Sequence, residues 1–442
     1  MNGDARAVFV KACHNSGPYA PGCTGNKNDF AVECRLWHGI ILKDFIAHMQ
    51  YEQTPSLPIP DESSAAHSAR VADHIRDSIR SAGGKISFAE FMHEALYAPG
   101  LGYYSAGATK FGADGDFITA PEVSTVYGNV VARQCAEVLA GIDAGGVLEF
   151  GAGTGKLAAD MLQAFARLGA MPTAYKILEV SADLRERQES LLRREVPQFV
   201  DMVSWLTDMP ENHRGVIVAN EVLDALPVER FVRRSDAIFQ LGVGLQNNEF
   251  VPVERPAAAL LAAAVADIEA DMGARFADGF VSEVSLAVPA WIADIGDCLQ
   301  LGVAFLFDFG LSRREYYAPD RSDGWLRCHF RHHAHNDPYI YPGIQDITTW
   351  VDFSAVAGAA VSNGLDIVGY VTQSQFLTGG GLNAEMENFA ALPLPQQLKL
   401  SSQIKTLTLP GEMGENFKCI ALGRGEVPTP SAFQNADRTR TL

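Results

Sequence analysis

The chain has 442 residues, 47% apolar and 20% charged, which is enough to bury a large core and excludes bulk disorder. That length implies one large domain with insertions, or two domains. The formal net charge of −18 excludes a nucleic-acid phosphate backbone as the main partner; it fits a cationic partner, such as an arginine or a basic segment, or plain solubility. Seven cysteines occur with no Cys-x-x-Cys spacing, so no zinc site is expected. No apolar run reaches the ~18 residues of a membrane span, and the first residues carry no signal-peptide pattern.

Residues 1–66 read as a poorly ordered extension, because "CHNSGPYAPGCTGNKND" and "TPSLPIPDESS" are rich in turn formers and lack periodicity. Met49 is a candidate alternative start. From about residue 68 the spacing of Val71, Ile75 and Ile79 predicts a helix that Gly83-Gly84 closes. Ser87 and Glu90 form the pattern of a capping box at the head of a second helix that stops before Pro99. A long glycine- and aromatic-bearing loop follows to about residue 124, then a helix with Val126, Val130, Val131, Cys135, Val138 and Leu139 on one face. Next, "VLEF", "YKILEV", "FVDMV" and "GVIVAN" alternate with helical stretches, the rhythm of a parallel sheet covered on both faces. Three short strands and an Ala-rich helix at about 228–290 read as an antiparallel insertion. "AFLFDFG", "LDIVGYVT" and "FKCIALGR" read as the remaining strands of the sheet, leaving 426–442 as a tail. The fold class is therefore α/β and Rossmann-like. We read 67–141 as helical cap and lid loop, 142–310 as cofactor-binding core, and 311–425 as substrate loop and C-terminal part of the sheet.

The stretch "VLEFGAGTGKL" (147–157) carries the chemistry. A strand, a glycine turn and a helix aim backbone N–H groups at a ligand. The triphosphate loop needs glycine where Phe150 stands and a hydroxyl where Leu157 stands. The dinucleotide fingerprint needs Gly or Ala where Lys156 stands, which disfavours a nicotinamide dehydrogenase. The remaining pattern is Glu149, Gly151, Gly153, Gly155, with an acid that would repel a diphosphate and attract an ammonium. Glu179, ending the next strand, sits where a carboxylate accepts both ribose hydroxyls. These residues point to S-adenosyl-L-methionine; the rival is an ordinary tight strand-to-helix turn.

Beside this loop stand "YAPGLGYYS" (97–105), "GDFITAPEVS" (115–124), "EVSADLRERQ" (179–188), "ANEVLDALPVERF" (219–231), "LFDFG" (306–310), "DITTWVDF" (346–353) and "MGENFKCIALGR" (413–424). Together they resemble the MidA family of class I S-adenosyl-L-methionine-dependent methyltransferases over roughly residues 85–425. The resemblance implies a seven-stranded methyltransferase sheet with an N-terminal helical cap and insertions. It also implies protein-arginine ω-N-methylation of a protein substrate, in mitochondrial members a subunit of the NADH:quinone oxidoreductase. The location would be the cytoplasm of a bacterium, or the mitochondrial matrix in a eukaryote. The chain departs from the family's Asp-Tyr-Gly-His at Asp308-Phe309-Gly310-Leu311, which favours a rival reading as a non-catalytic assembly chaperone that binds donor and client.

A guanidinium becomes nucleophilic when carboxylates fork onto it and localise its charge. "IVANEVLDALP" brings such acids to a strand end. Glu221 is the expected guanidinium carboxylate, Asn220 a positioning group, Asp224 a supporting acid, and Asp308 a further substrate contact from the next strand. Glu283 is a weaker candidate for the same role. Asp116, Thr119 and Glu122 are expected to close over the donor, and Trp205 is a candidate for stacking on adenine. The histidine-rich "CHFRHHAHNDP" (328–338) matches no zinc spacing and reads as a loop facing substrate or lid.

Overall fold

The computed structural model of the chain describes residues 57–106 and 118–442. Most of the expected N-terminal extension lies outside these residues, but its last part belongs to the fold. Helix α1 spans Glu62–Ser81, and Asp61 caps it by accepting the Ser64 N–H at 3.0 Å. The "PDESS" stretch is therefore a helix start rather than part of a poorly ordered extension, the capping preference of Asp outweighing the local turn composition. Helix α2 (Phe88–Tyr97) opens on the expected capping box, both Ser87–Glu90 bonds being present. Helix α3 spans Thr125–Leu139.

The central sheet is built from β1 (Gly146–Phe150), β2 (Tyr175–Leu178), β3 (Val203–Leu206), β4 (His213–Asn220), β5 (Leu299–Leu311), β6 (Asp366–Thr372) and β7 (Phe417–Arg424). Their order is β3-β2-β1-β4-β5-β7-β6, with β7 antiparallel to both neighbours and β1 to β5 mutually parallel. The expected strand at "FVDMV" is instead a 3-10 turn, Pro197–Met202, and β3 follows it; Pro197 starts the turn where a strand would need a donor. One apolar layer packs α3, α4 (Lys156–Leu168) and the segment around Phe376 against one face of the sheet. The other packs α7 (Val288–Cys298) and α8 (Phe353–Ser362) against the opposite face, with α5 (Ala182–Glu195) and α6 (Ala259–Met272) between α4 and α7 in the chain. Burial on both faces explains why these strands read as continuous apolar runs.

The insertion is a second sheet of Glu229–Arg234, Ala237–Gln246, Glu249–Pro256 and Val281–Val284, all antiparallel. The short strand Lys85–Ile86 pairs with Ala237–Gln246, which ties the cap to the insertion. The last residues are not a loose tail: Phe433 is buried against Phe305 and Phe376, and Asp437 accepts the Tyr370 N–H at 2.8 Å. Among the described residues, no helix is long and apolar enough to cross a membrane.

Candidate active site

The sheet reverses its winding direction between β1 and β4, and ligands bind outside the carboxyl ends of the strands at such a point. A cavity of about 330 Å³ opens there. Glu149, Gly151, Gly153, Glu179, Thr119, Glu122, Asn220, Glu221 and Asp224 line it. Gly155 stands just behind: its φ is +87°, and a Cβ there would meet the Gln188 Cα at 3.2 Å. That glycine lets α5 approach the loop, and the Gln188 amide then bonds both the Gly153 carbonyl (3.0 Å) and the Glu179 carboxylate (3.1 Å). Asp116 lies outside the described residues.

Glu149 is 2% exposed and accepts the Tyr175 hydroxyl at 2.6 Å. Burial lifts its carboxyl from the ordinary 4.5 to about 7; the Tyr175 bond opposes the rise and Glu179 adds to it. Glu179 is raised mainly by burial, against hydrogen bonds from the Ser181 N–H and Gln188. Neither acid forms an ion pair among the described residues. The one lysine of the cavity, Lys156, is bound to Asp160. The lining therefore holds five carboxylates and no uncommitted cation. Such a cradle fits an ammonium, a pair of ribose hydroxyls and a sulfonium, and opposes a diphosphate.

The second half of the cavity belongs to the strap that leaves β4. Glu221 has φ +56°, a conformation costing a side-chain-bearing residue roughly 1–2 kcal/mol and found mostly where function demands it. Its carboxyl is pushed to about 7 by burial; bonds from the Asn220 amide and the Ala120 N–H oppose this, and Asp346 reinforces it. The Tyr127 hydroxyl donates to the Asn220 Oδ1 at 2.6 Å, which turns the Asn220 Nδ2 toward Glu221 at 3.1 Å. Asn220 thus positions Glu221. Asp224 is 5% exposed, lines the cavity, and has an Oδ1 without a hydrogen-bond partner among the described residues.

Asp308 is a correction. It was expected to touch substrate, but it is fully buried and accepts the N–H groups of Leu223 (2.9 Å), Asp224 (3.2 Å) and Phe309 (2.9 Å). It fixes the strap and does not line the cavity. Glu283 is likewise buried away from the site, paired with Arg230 and accepting the Trp325 N–H. Trp205 lies within β3 and donates to Gln188 instead of facing the cavity. The histidine segment forms a hairpin, Arg327–Phe330 with His333–His335, none of which lines the cavity. Among the described residues no group of three or more His, Cys, Asp or Glu is placed to hold a metal. Phe309 packs on Trp350 and Phe417, and Leu311 joins the apolar cluster of the insertion, so the departure from the family pattern falls outside the cavity.

Among the lining residues that were not foreseen, three are aromatic side chains that wall the cavity. Tyr97 and Tyr104 stack with ring centroids 5.5 Å apart, and Trp291 meets Phe150 edge-on at 5.6 Å. Behind them the Tyr104 hydroxyl donates to Asp346, which is itself buried, at 3.0 Å. Both tyrosines lie in "YAPGLGYYS" and Asp346 opens "DITTWVDF", so two of the family's motifs converge here. A larger cavity of about 750 Å³ lies on the other side of the strap, where Glu283 and Asp352 are already paired with Arg230 and Arg313.

The comparisons agree with this geometry. Residues 130–371 match the family model described as "S-adenosyl-L-methionine-dependent methyltransferase". A protein from Burkholderia thailandensis, crystallised with S-adenosyl-homocysteine, is 40% identical with a TM-score of 0.83, covering 88% of this chain and 100% of its own. The mitochondrial protein arginine methyltransferase NDUFAF7 of Danio rerio is 28% identical over 81% of this chain and 88% of its own length. The human NDUFAF7 is 27% identical over 79% and 82%. The chain uses S-adenosyl-L-methionine as methyl donor and belongs to the MidA family of class I S-adenosyl-L-methionine-dependent methyltransferases.

Proposed function

We propose that this methyltransferase acts on the ω-nitrogen of an arginine in a protein substrate. The observation that carries the reading is the cavity itself: five carboxylates, with their one lysine already bound to Asp160, can accommodate two cations at once. Glu149 would receive the donor's ammonium, Glu179 its ribose hydroxyls, and the turn at Gly151, Gly153 and Gly155 would let the main chain approach. Thr119 and Glu122 lie over the same end, where the Thr154 hydroxyl donates to Glu122. The donor, when bound, supplies a methyl group already activated on sulfur. The protein's share is alignment, exclusion of water and charge. Glu221, turned by Asn220, would fork onto the guanidinium, with the Tyr97–Tyr104 pair as an aromatic wall against its plane.

The names of the curated relatives support arginine, and a subunit of a respiratory NADH:quinone oxidoreductase is the client we propose. The relatives are mitochondrial by name; for this chain, whose 40% match is bacterial, we propose the cytoplasm. The chaperone reading loses its support, because Phe309 and Leu311 lie outside the cavity. Mass spectrometry of arginine methylation in cells with and without the protein tests the proposal. At least one methyl-arginine should disappear on deletion and return with the wild-type chain but not with Glu221→Gln. An unchanged set of methyl-arginines would remove the arginine reading.

A further inference from the structure

Methylating a guanidinium releases a proton. The nitrogen's electron pair forms the N–CH₃ bond, the C–S bond breaks with its pair going to sulfur, and the donor leaves as a neutral thioether. One N–H bond of the same nitrogen then breaks, its pair staying on nitrogen, so that the product is again a guanidinium carrying one positive charge. A group in the cavity is placed to receive that proton. We propose that the Asp224 carboxylate is the acceptor, taking the proton on Oδ1. The proposal rests on the arginine reading given above and assigns a step within it.

The geometry singles out Asp224 among the acids of the cavity. Asp224 lines the cavity, and its Oδ1 is buried and has no hydrogen-bond partner among the described residues. Glu221 is engaged by the Asn220 amide and by the Ala120 N–H. Glu149 is held by Tyr175, Glu179 by Ser181 and Gln188, and Glu122 accepts the Thr154 hydroxyl, all at the donor's end. Asp308 spends both oxygens on backbone N–H groups. Asp224 also cannot drift. Its N–H donates to Asp308, its carbonyl accepts the Thr349 N–H at 3.0 Å, and the next carbonyl, of Ala225, accepts the Tyr97 hydroxyl at 3.0 Å. A side chain rooted this firmly presents one free oxygen at a fixed place, as a proton acceptor requires.

The electrostatics supply the direction. The charged and titratable groups facing Asp224 are Glu221 on the strap, Asp308 on β5, Asp346 on the strand Asp346–Thr348, and Tyr97 and Tyr104 from the cap. Burial first, then Asp308, Asp346 and Glu221, raise its carboxyl well above the ordinary range, against a hydrogen bond from the Ala225 N–H. With sulfonium and guanidinium present, two positive charges oppose that rise and hold Asp224 ionised. Transfer leaves only one, and the acid cluster then favours taking up a proton. The same reaction that frees the proton makes its acceptor more basic.

Two measurements test this. The first uses the wild-type protein and no substrate: calorimetry at pH 7.5 in two buffers of different ionisation enthalpy counts protons exchanged on binding. S-adenosylhomocysteine should bring more proton uptake than S-adenosylmethionine, and Asp224→Asn should reduce the difference. Equal uptake for both ligands in the wild type, or a difference unaltered in Asp224→Asn, would overturn the proposal. The second follows methyl-arginine formation at saturating donor on proteins extracted from cells lacking this protein. Asp224→Asn should slow transfer about 100-fold, keep S-adenosylhomocysteine affinity within twofold, and show a rate that climbs with pH as hydroxide replaces the lost base. A rate within threefold of wild type, or a loss of rate matched by a loss of donor affinity, would refute Asp224 as the acceptor. If the wild-type protein forms no methyl-arginine on the extract, the arginine reading itself fails, and this step with it.

Discussion

Replacing Glu149 by glutamine should move stability and donor affinity in opposite directions. The carboxyl is 2% exposed and held at about 7 against an ordinary 4.5. Its folded form therefore keeps a proton that the unfolded chain gives up above 4.5. Between 4.5 and about 7 this group's contribution to stability falls as pH rises, by roughly 1.4 kcal/mol per pH unit, and above 7 it is fully lost. The whole effect is at most about 3 kcal/mol. Glutamine keeps the shape and can still accept from Tyr175, but never ionises. Glu149→Gln should thus be more resistant to urea than wild type at pH 8, by up to that amount, and about equal at pH 4.5. Donor binding should suffer, since truncating one member of a buried charged pair costs about 2–5 kcal/mol. Calorimetry with S-adenosylhomocysteine, which retains the ammonium, should show at least a 30-fold weaker complex at pH 8. If the variant binds within threefold of wild type, Glu149 does not face the ammonium. If it is less stable at pH 8, the buried carboxylate is not the burden its surroundings imply.

Glu221→Gln should lower methyl transfer about 100-fold and leave S-adenosylhomocysteine affinity within twofold. At saturating donor the wild-type rate should rise with pH through about 7 as the carboxyl ionises to receive the guanidinium, and the variant should lack that rise. Gly155→Ala should cost more stability than Gly153→Ala in urea unfolding. The first adds a contact with the Gln188 backbone to the strain of a left-handed alanine, whereas the second meets nothing within 4 Å and bears only the strain, roughly 1–2 kcal/mol. Equal losses would contradict the close approach of α5 to the loop. Leu311→His should keep the transfer rate within twofold in the same extract assay, since the position packs into the insertion and not the cavity.

What was legible in the sequence was local. The capping box at Ser87, the alternation of strand and helix, and acids at the ends of β1, β2 and β4 are each written within a dozen residues. Tyr97, Tyr104 and Asp346 were not foreseen as site residues, because their meeting depends on partners far apart in the chain. Tyr104 and Asp346 are 242 positions apart, the second on a strand that pairs with Arg327–Phe330. Trp291 reads as one more apolar residue of a helix and becomes a cavity wall only when α7 is laid beside β1. Asp308 misled for a different reason. Near the end of a strand buried on both faces, an acid has the same local sequence whether it faces a ligand or neighbouring N–H groups, and only the path of the strap decides.

That path explains why so costly an arrangement holds. The strap carries a left-handed Glu221 and an unpartnered Asp224 side by side, and each ionised carboxylate repels the other. Left alone, such a segment would relax toward solvent. It is held from below by Asp308, from one side by Thr349, and from the cap by the Tyr97 hydroxyl, so relaxation would break several buried hydrogen bonds at once. Because the repulsion is relieved by a cation or by taking up a proton, the cavity discriminates by charge between what enters and what leaves. A sulfonium is attracted and a thioether is not, so the spent donor loses one of the two attractions that held its precursor. On the arginine reading we propose, an acid-rich strap clamped at three points would serve both halves of a turnover: it would gather two cations into one small space and loosen its grip on the used donor once one of those charges has gone.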